Sequence, residues 1–504
     1  VTENWFDLNA SRYTPSSTLQ RMELLKTGYM GTLSLGWDNY LFLELTGRQE
    51  RSSTLKDQSF FYPSANLSFL FTQAFHMPSW WNYGKLRLSY GIVGNAPETY
   101  TANIVYEQGS DNGFTWNTIP SSWGNADIRP EKKYEYEIGL ESKFLNNRLG
   151  IDVSYYNNRV KDQILSTPQP STSGVKNVLM NVGEVANHGW DISISATPIL
   201  TRDFRWDLTA NYGVYKNKVV KLADGVPYLE ILNSGGSGIK IQAVEGQPMG
   251  DIYAQVPQVN ENGEYLVSDK GLYLNQTELQ KVGNINPAGV GGLFNSFSYK
   301  NVFLDFSIDF RIGGDVINEM NQYATAVGLT PESLKYRDTE HGGLSYYYPG
   351  DNNSSGIPVQ VDPSTGAGPN GEIIYHDGII LPGVVASTGE RNTRIIPAGY
   401  YYNTTYNWGT EAEQLTYRHS VFDNSYVKLR ELTIGYQFPE KIISKLGLGR
   451  LSVSVFGRNL FYFYKALKNY DAESSVGTSW ANQATVGSST TATRSFGVSL
   501  RASF

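Results

Sequence analysis

Apolar and polar residues alternate one by one along many stretches of this chain. Over 302–312, Val302, Leu304, Phe306, Ile308, Phe310 and Ile312 fall on one face of an extended backbone. Phe303, Asp305, Ser307, Asp309 and Arg311 fall on the other. The pattern recurs at 85–92, 134–144, 204–214 and 495–504. Each time one face is aliphatic or aromatic, and the other carries residues such as Arg87, Glu135, Glu137, Glu141, Arg205 and Asp207. One stretch breaks parity. Val427 and Leu429 lie on one phase, and Leu432, Ile434 and Tyr436 on the other, so a bulge near Arg430-Glu431 is expected to reset the strand.

Thirteen strands are predicted, at 20–37, 39–49, 65–76, 83–93, 132–145, 149–161, 188–199, 204–218, 294–300, 302–312, 425–438, 450–464 and 494–504. Their joints alternate in length. Short ones fall near Asp38, at 77–82, 146–148 and 200–203, near Lys300-Asn301, and at 439–449. Long ones fall at 50–64, 94–131, 162–187, 219–293, 313–424 and 465–493. A soluble antiparallel sandwich also alternates. The strands here exceed the usual five or six residues, their apolar faces often end in Tyr, Trp or Phe, and the joints alternate. These features favour an all-β fold, a transmembrane antiparallel β-barrel. Short turns then face the periplasm and long loops the exterior. An odd strand count cannot close with every neighbour antiparallel, so at least one strand is expected upstream, with 1–19 as an extracellular loop leading from it.

Composition agrees with a wall between lipid and water. Charged residues are 18% and aromatics 13%, with 35 Tyr among 504 residues, and Tyr suits a boundary between apolar and wet phases. A net charge of −7 speaks against nucleic acid as a partner. The chain has no Cys, hence no disulfide framework. Mean hydropathy is −0.35 and no run approaches the length of a spanning helix, so a membrane crossing would have to be a closed barrel. The N-terminal Val1-Thr2-Glu3-Asn4-Trp5 does not read as a signal peptide, and the chain is expected to start inside a larger protein.

Several motifs carry a resemblance. Phe422-Asp423-Asn424-Ser425-Tyr426-Val427-Lys428-Leu429-Arg430-Glu431-Leu432-Thr433-Ile434-Gly435-Tyr436 is similar to the late-barrel signature of SusC/RagA-type TonB-dependent transporters. So is Gly457-Arg458-Asn459-Leu460-Phe461 with Asp471 and Glu473 following. Lys85 to Gly91 with Gly94-Asn95, Asn181 to Trp190, Tyr62-Pro63-Ser64 and Arg311 to Asp315 resemble further family segments in the same order. The resemblance implies a barrel of about 22 strands with a plugged lumen, of which this chain would be the C-terminal part over 20–504, the plug lying elsewhere. It further implies an outer-membrane, Bacteroidetes-like location and import of a large nutrient, an oligosaccharide or an oligopeptide. The implied partners are a SusD-like surface lipoprotein lid, TonB-ExbB-ExbD, and a second copy of the SusC-SusD pair.

Candidate site residues follow from placement. Trp116, Trp123, Tyr346, Tyr347, Tyr348, Tyr401, Tyr402, Trp408 and Trp480 lie in long loops, where aromatic rings hold sugar faces or pack loops together. Arg87, Glu135, Glu137, Arg205, Asp207, Asp305, Asp309 and Arg311 face the lumen, where they guide solute, touch a plug, or pair across strands. Phe496, Val498, Leu500 and Phe504 resemble a barrel-assembly signal, or form a plain last strand. His76, His188, His341, His376 and His419 lack metal-ligand spacing, and no nucleophile elbow or P-loop appears, so neither an enzyme nor a cofactor is expected. Asp351-Asn352-Asn353 and Asp471-Ala472-Glu473 offer oxygens for a loop Ca²⁺, or simply make polar turns. A passive porin or adhesin barrel is the competing class.

Overall fold

The structure is a computed structural model. It describes residues 21–56, 59–111, 114–234, 238–350, 352, 354, 356–407, 416–474, 477, 479–487 and 492–503. Thirteen strands form one antiparallel sheet in chain order. They are β1 Lys26–Trp37, β2 Leu41–Ser52, β3 Ser59–Phe69, β4 Trp81–Asn95, β5 Glu131–Phe144, β6 Leu149–Lys161 and β7 Glu184–Leu200. β8 Phe204–Lys221, β9 Gly289–Tyr299, β10 Val302–Ile312, β11 Tyr426–Gln437, β12 Arg450–Lys465 and β13 Ser495–Ser503 complete it. Every strand pairs with its chain neighbours, and among the described residues β1 and β13 do not pair with each other. Among the described residues the sheet has two edge strands, β1 and β13, each paired on one side. The expected stretch 1–19 and the terminal Phe504 lie outside the described residues.

The alternation in sequence becomes two physically different faces. Cross-strand partners share a face, and the registers keep apolar opposite apolar. Leu304 lies opposite Ile434, Phe306 opposite Leu432, and Ile308 opposite Leu429. The parity break resolves as expected. Ser307 pairs with Glu431 and Ile308 with Leu429, which leaves Arg430 as the extra residue. The partner strand β12 answers with its own irregularity, where Asn459 takes a φ of +53°, a left-handed geometry that Asn tolerates. The short turns carry the same signature, at Asp38 (φ 47°), Asn39 (φ 56°), Asn146 (φ 57°) and Lys300 (φ 51°).

Glycines on the wall make room for cross-strand rings. Phe303 lies opposite Gly435, where an added Cβ would come within 2.1 Å of its ring. Phe456 covers Gly497 in the same way, at 2.4 Å.

Several expected bounds need correction. β1 starts at Lys26 rather than at 20, and the joint expected at 50–64 shortens to the stretch between Ser52 and Ser59. The strand placed at 65–76 runs instead over Ser59–Phe69 and is followed by a short helix, Phe71–Ala74. Phe71 turns its ring onto Trp81, with centroids 5.3 Å apart, and the Thr72 hydroxyl accepts from the Gly84 N–H at 3.0 Å, so the backbone folds back rather than extending. β7 begins four residues earlier than its predicted start at 188, and β9 at 289 rather than 294. The long joints hold sheets and helices of their own. The 219–293 stretch holds a four-stranded sheet of Tyr228–Ser234, Ile239–Val244, Asp251–Ala254 and Gln280–Asn284. The 313–424 stretch holds a second sheet and the helices Glu319–Ala326 and Ala398–Tyr406.

The buried core therefore sits in the loops. Ile239, Ile241, Ile252 and Ile285 pack with Ile317 and Val421 and with Ala481 and Ala484, drawing on three separate joints. The wall buries little, because its apolar face points outward. Tyr136, Ile138, Leu140, Trp190, Ile434 and Val455 are all exposed. For a chain in water this would be a large liability, and for a wall in lipid it is the expected surface.

Candidate lumen wall and rim

On the polar face, charges pair both across and along strands. Arg87 of β4 reaches Asp152 of β6 at 2.6 Å and the Ser154 hydroxyl at 3.2 Å, with Glu141 of β5 at 3.6 Å. Glu135 takes Lys133 at 2.6 Å and the Asn158 amide at 3.0 Å, and Asn158 in turn accepts from Asn187 at 2.8 Å. Arg205 binds Asp207 at 2.5 Å, and Thr197 donates to the same carboxylate at 2.7 Å. Asp305 accepts from Ser296 at 2.6 Å. Glu137 has no ion partner among the described residues. Most of the expected lumen groups are thus held by ion pairs or hydrogen bonds on the wall, Arg87 across strands and Arg205 with Asp207 along one. Arg311 is directed elsewhere. Its guanidinium donates to the carbonyls of Gly313 at 3.2 Å and Ile285 at 3.0 Å, tying two loops to the top of β10.

Asp309 belongs to the densest cluster. Arg430, lifted by its bulge, binds Asp309, the Asn459 side chain at 2.9 Å and Glu473 at 2.6 Å. The buried Lys428 also binds Glu473. Tyr462 donates to Asp471 at 2.7 Å, and the Asp471 carboxylate accepts from the Glu473 N–H at 3.0 Å. Burial alone would raise the Glu473 carboxyl, but Arg430 and Lys428 more than offset it and hold it below its ordinary value. The Asp471-Ala472-Glu473 turn thus spends its carboxylates on Tyr462 and two cations. Lys428 and Asn459 stand in the motifs quoted above but were not among the candidate site residues. The signal that could have found them is the parity break, since a conspicuous Arg at a bulge needs acceptors.

The expected loop aromatics separate by burial. Tyr346 is 2% exposed, stacks on Tyr375 at 5.4 Å and donates to Asp377 at 3.1 Å, and burial first, then Asp377, pushes its hydroxyl well above its ordinary value. Tyr348 is buried against both rings. Tyr402 is buried, donates to the Glu332 carbonyl at 2.9 Å and is pushed up to about 12 by burial. These three rings pack the rim and are closed to a solute. Tyr401 and Tyr347 are partly covered. Trp123 lies edge-on to Tyr106 at 6.3 Å. Trp116, on the hairpin Glu107–Asp111 and Phe114–Thr118, is 46% exposed, and Trp480 is also exposed. Trp408 and Phe504 lie outside the described residues, as do Asp351 and Asn353. On β13, Phe496, Val498 and Leu500 share one fully exposed face.

The model of the family described as TonB dependent receptor-like, beta-barrel, matches residues 4–229. TonB-dependent receptor P3 of Formosa agariphila is 24% identical over 494 residues, covering 89% of this chain and 42% of that protein. TonB-dependent receptor SusC of Bacteroides thetaiotaomicron is 30% identical over 247 residues, covering 45% of this chain and 24% of SusC. Among solved structures, the RagAB peptide transporter shares the fold with a TM-score of 0.65 at 18% identity, covering 94% of this chain and 48% of that one. The chain spans less than half the length of these relatives. The family is one of receptors and transporters, not of enzymes. With thirteen antiparallel strands, an apolar outer face and these relatives, the chain is similar to the TonB-dependent receptor-like β-barrels, the family model covering residues 4–229.

Proposed function

We propose that this chain supplies the wall and rim of an energised importer for a large polar oligomer, most simply an oligosaccharide. The observation that carries the reading is the open wall itself. It has a charged, hydrogen-bonded inner face, a bare apolar outer face, and two edge strands that are unpaired on one side among the described residues. A barrel of the size implied is wide enough for an oligomer yet plugged, so passage requires the plug to move. The outer membrane has no nucleotide supply of its own. Energy then reaches the plug through TonB-ExbB-ExbD, and a SusD-like lipoprotein covers the folded rim as a lid. Long loops face outward and short turns face the periplasm.

The exposed indoles of Trp116 and Trp480 favour sugar, because a flat ring accepts the apolar face of a pyranose. The burial of Tyr346, Tyr348 and Tyr402 removes them from that argument. The test is growth of a strain lacking the full-length protein on single oligosaccharides and on oligopeptides as sole carbon sources. Loss on oligosaccharides supports the reading, and loss on peptides alone replaces the solute. Uptake that persists without TonB would make the protein a passive channel.

A further inference from the structure

The outward face of β5, β6, β7 and β8 carries rows of residues beyond the apolar belt, at the long-loop end. In the outermost row Lys132 lies opposite Lys161, Lys161 opposite Glu184, and Glu184 opposite Lys221. The next row reads Tyr134, Arg159, Ala186 and Lys218, and the third reads Tyr136, Asn157, His188 and Lys216. The fourth is apolar, with Ile138, Tyr155, Trp190 and Val214. Side-chain contacts confirm the shared face. The Lys161 ammonium lies 5.9 Å from the Tyr134 ring centre, Arg159 binds Glu184 at 2.9 Å, and the Tyr155 and Trp190 rings are 4.9 Å apart.

The two faces differ in charge balance. The inner face of these strands sets Glu135 against Lys133, Glu141 against Lys143 and Asp207 against Arg205, while the top of the outer face has an excess of cations. Arg159 is matched by Glu184, and Lys221 reaches Asp224 at 3.3 Å. Lys132, Lys161, Lys216 and Lys218 are exposed and have no carboxylate partner among the described residues. In a chain of net charge −7 this band is a local reversal. With strands about 4.8 Å apart and rows about 7 Å apart, the four lysine positions fall within roughly 20 Å of one another.

Depth places the band at a membrane surface. β7 runs from Trp190 to Leu200 along the apolar belt. About ten steps of roughly 3.4 Å, tilted about 40°, span about 26 Å, close to the ~25 Å lipid-facing band of such barrels. The next turn of residues, where the lysines stand, is therefore at headgroup height.

We propose that this band is a docking site for the phosphorylated headgroup of an outer-leaflet glycolipid, whose acyl chains lie on the belt below. Several phosphates on one headgroup match several unpaired ammonium groups at that spacing, and the apolar belt continues directly beneath them. The site rests on the outward orientation of the long loops given above, but binding itself is measured without any uptake.

The experiment uses the full-length protein in detergent, with diphosphoryl lipid A, a zwitterionic phospholipid and inorganic phosphate as separate probes in native mass spectrometry and thermal shift. Lipid A is expected to bind and to raise the melting temperature, an effect lost in high salt. Lys216→Glu with Lys218→Glu weakens it about tenfold or more. Lys85→Glu, on the inner face, leaves it unchanged. Lys216→Gln with Lys218→Gln serves where charge reversal impairs folding, and heat-modifiable gel mobility reports the folded barrel. Equal binding by the double variant, equal binding of the zwitterionic lipid, or an equal shift with inorganic phosphate alone overturns the proposal. Failed growth tests with intact lipid binding overturn only the importer.

Discussion

Arg430 and Glu473 meet at 2.6 Å, joining the bulge of β11 to the joint between β12 and β13. The same guanidinium holds Asp309 on β10, so one side chain links two wall strands and a loop. Glu473 also holds the buried Lys428. The loop that carries Trp480 and contributes Ala481 and Ala484 to the rim core is thereby pinned to the wall.

Arg430→Ala is expected to release this pin. Charge-assisted hydrogen bonds are worth about 1.5–3 kcal/mol, and because these groups are about a third exposed the loss should fall near the lower figure. Protease cleavage within 466–487 should speed up while the barrel stays folded. Arg430→Lys, which keeps the charge but not the fork, should recover only part of the protection. An unchanged cleavage rate would show that the apolar contacts alone hold the loop.

The outward face gives a test of the membrane reading. Val455 is 57% exposed and lies outward, whereas its neighbour Ser454 lies inward. Arginine at a lipid-facing midplane position costs about 2–4 kcal/mol. Val455→Arg should therefore lower stability in lipid vesicles strongly, and Ser454→Arg little. In a water-soluble protein an exposed Val455→Arg would be nearly neutral, so the contrast between the two variants decides.

Phe303 and Gly435 form a complementary pair across β10 and β11. Gly435→Ala forces the ring aside and should destabilise by about 1–3 kcal/mol. Adding Phe303→Leu should recover much of that loss, and a denaturant series on the four proteins of the double-mutant cycle measures the coupling. Strictly additive losses would show that the close approach is unimportant.

His419 gives the rim an acid sensitivity. It stacks on Tyr406 with centroids 4.3 Å apart, and burial, with Arg418 adding to it, lowers its pKa to about 4. In the unfolded chain the imidazole takes a proton near 6.5. Rim stability is therefore full above that value, declines as pH falls from about 6.5 towards 4, and levels off below. Hydrogen exchange in 398–406 and 417–421 should rise between pH 7 and pH 4.5, and His419→Phe should flatten that rise.

Trp116 is exposed on a hairpin outside the rim core. Trp116→Ala should change stability by less than about 0.5 kcal/mol and weaken oligosaccharide binding several-fold in calorimetry on the full-length protein. Unchanged affinity would assign this indole to lid contact.

The alternation alone determined the wall. A period of two marks a strand with two unlike faces, so the thirteen strands, the two faces and the bulge at Arg430 were legible in the residues, while strand length and the aromatic ends separated a barrel wall from a sandwich. Joint lengths were less legible: the joint expected to be long at 50–64 lies between Ser52 and Ser59, and the one expected to be short before β4 runs from Phe69 to Trp81. The start of β3 and the turn at Phe71 were not legible, because Phe71 is apolar in either geometry and only Trp81 and Gly84 decide which it adopts. The rim was hidden for a related reason. Short strands such as Ile239–Val244 and Asp251–Ala254 are too brief to show a period, and their core gathers residues from joints more than two hundred positions apart. Tyr346 and Trp116 are both loop aromatics in sequence. Which one is sealed and which meets solvent depends on what packs over it, and that is a property of the tertiary structure alone.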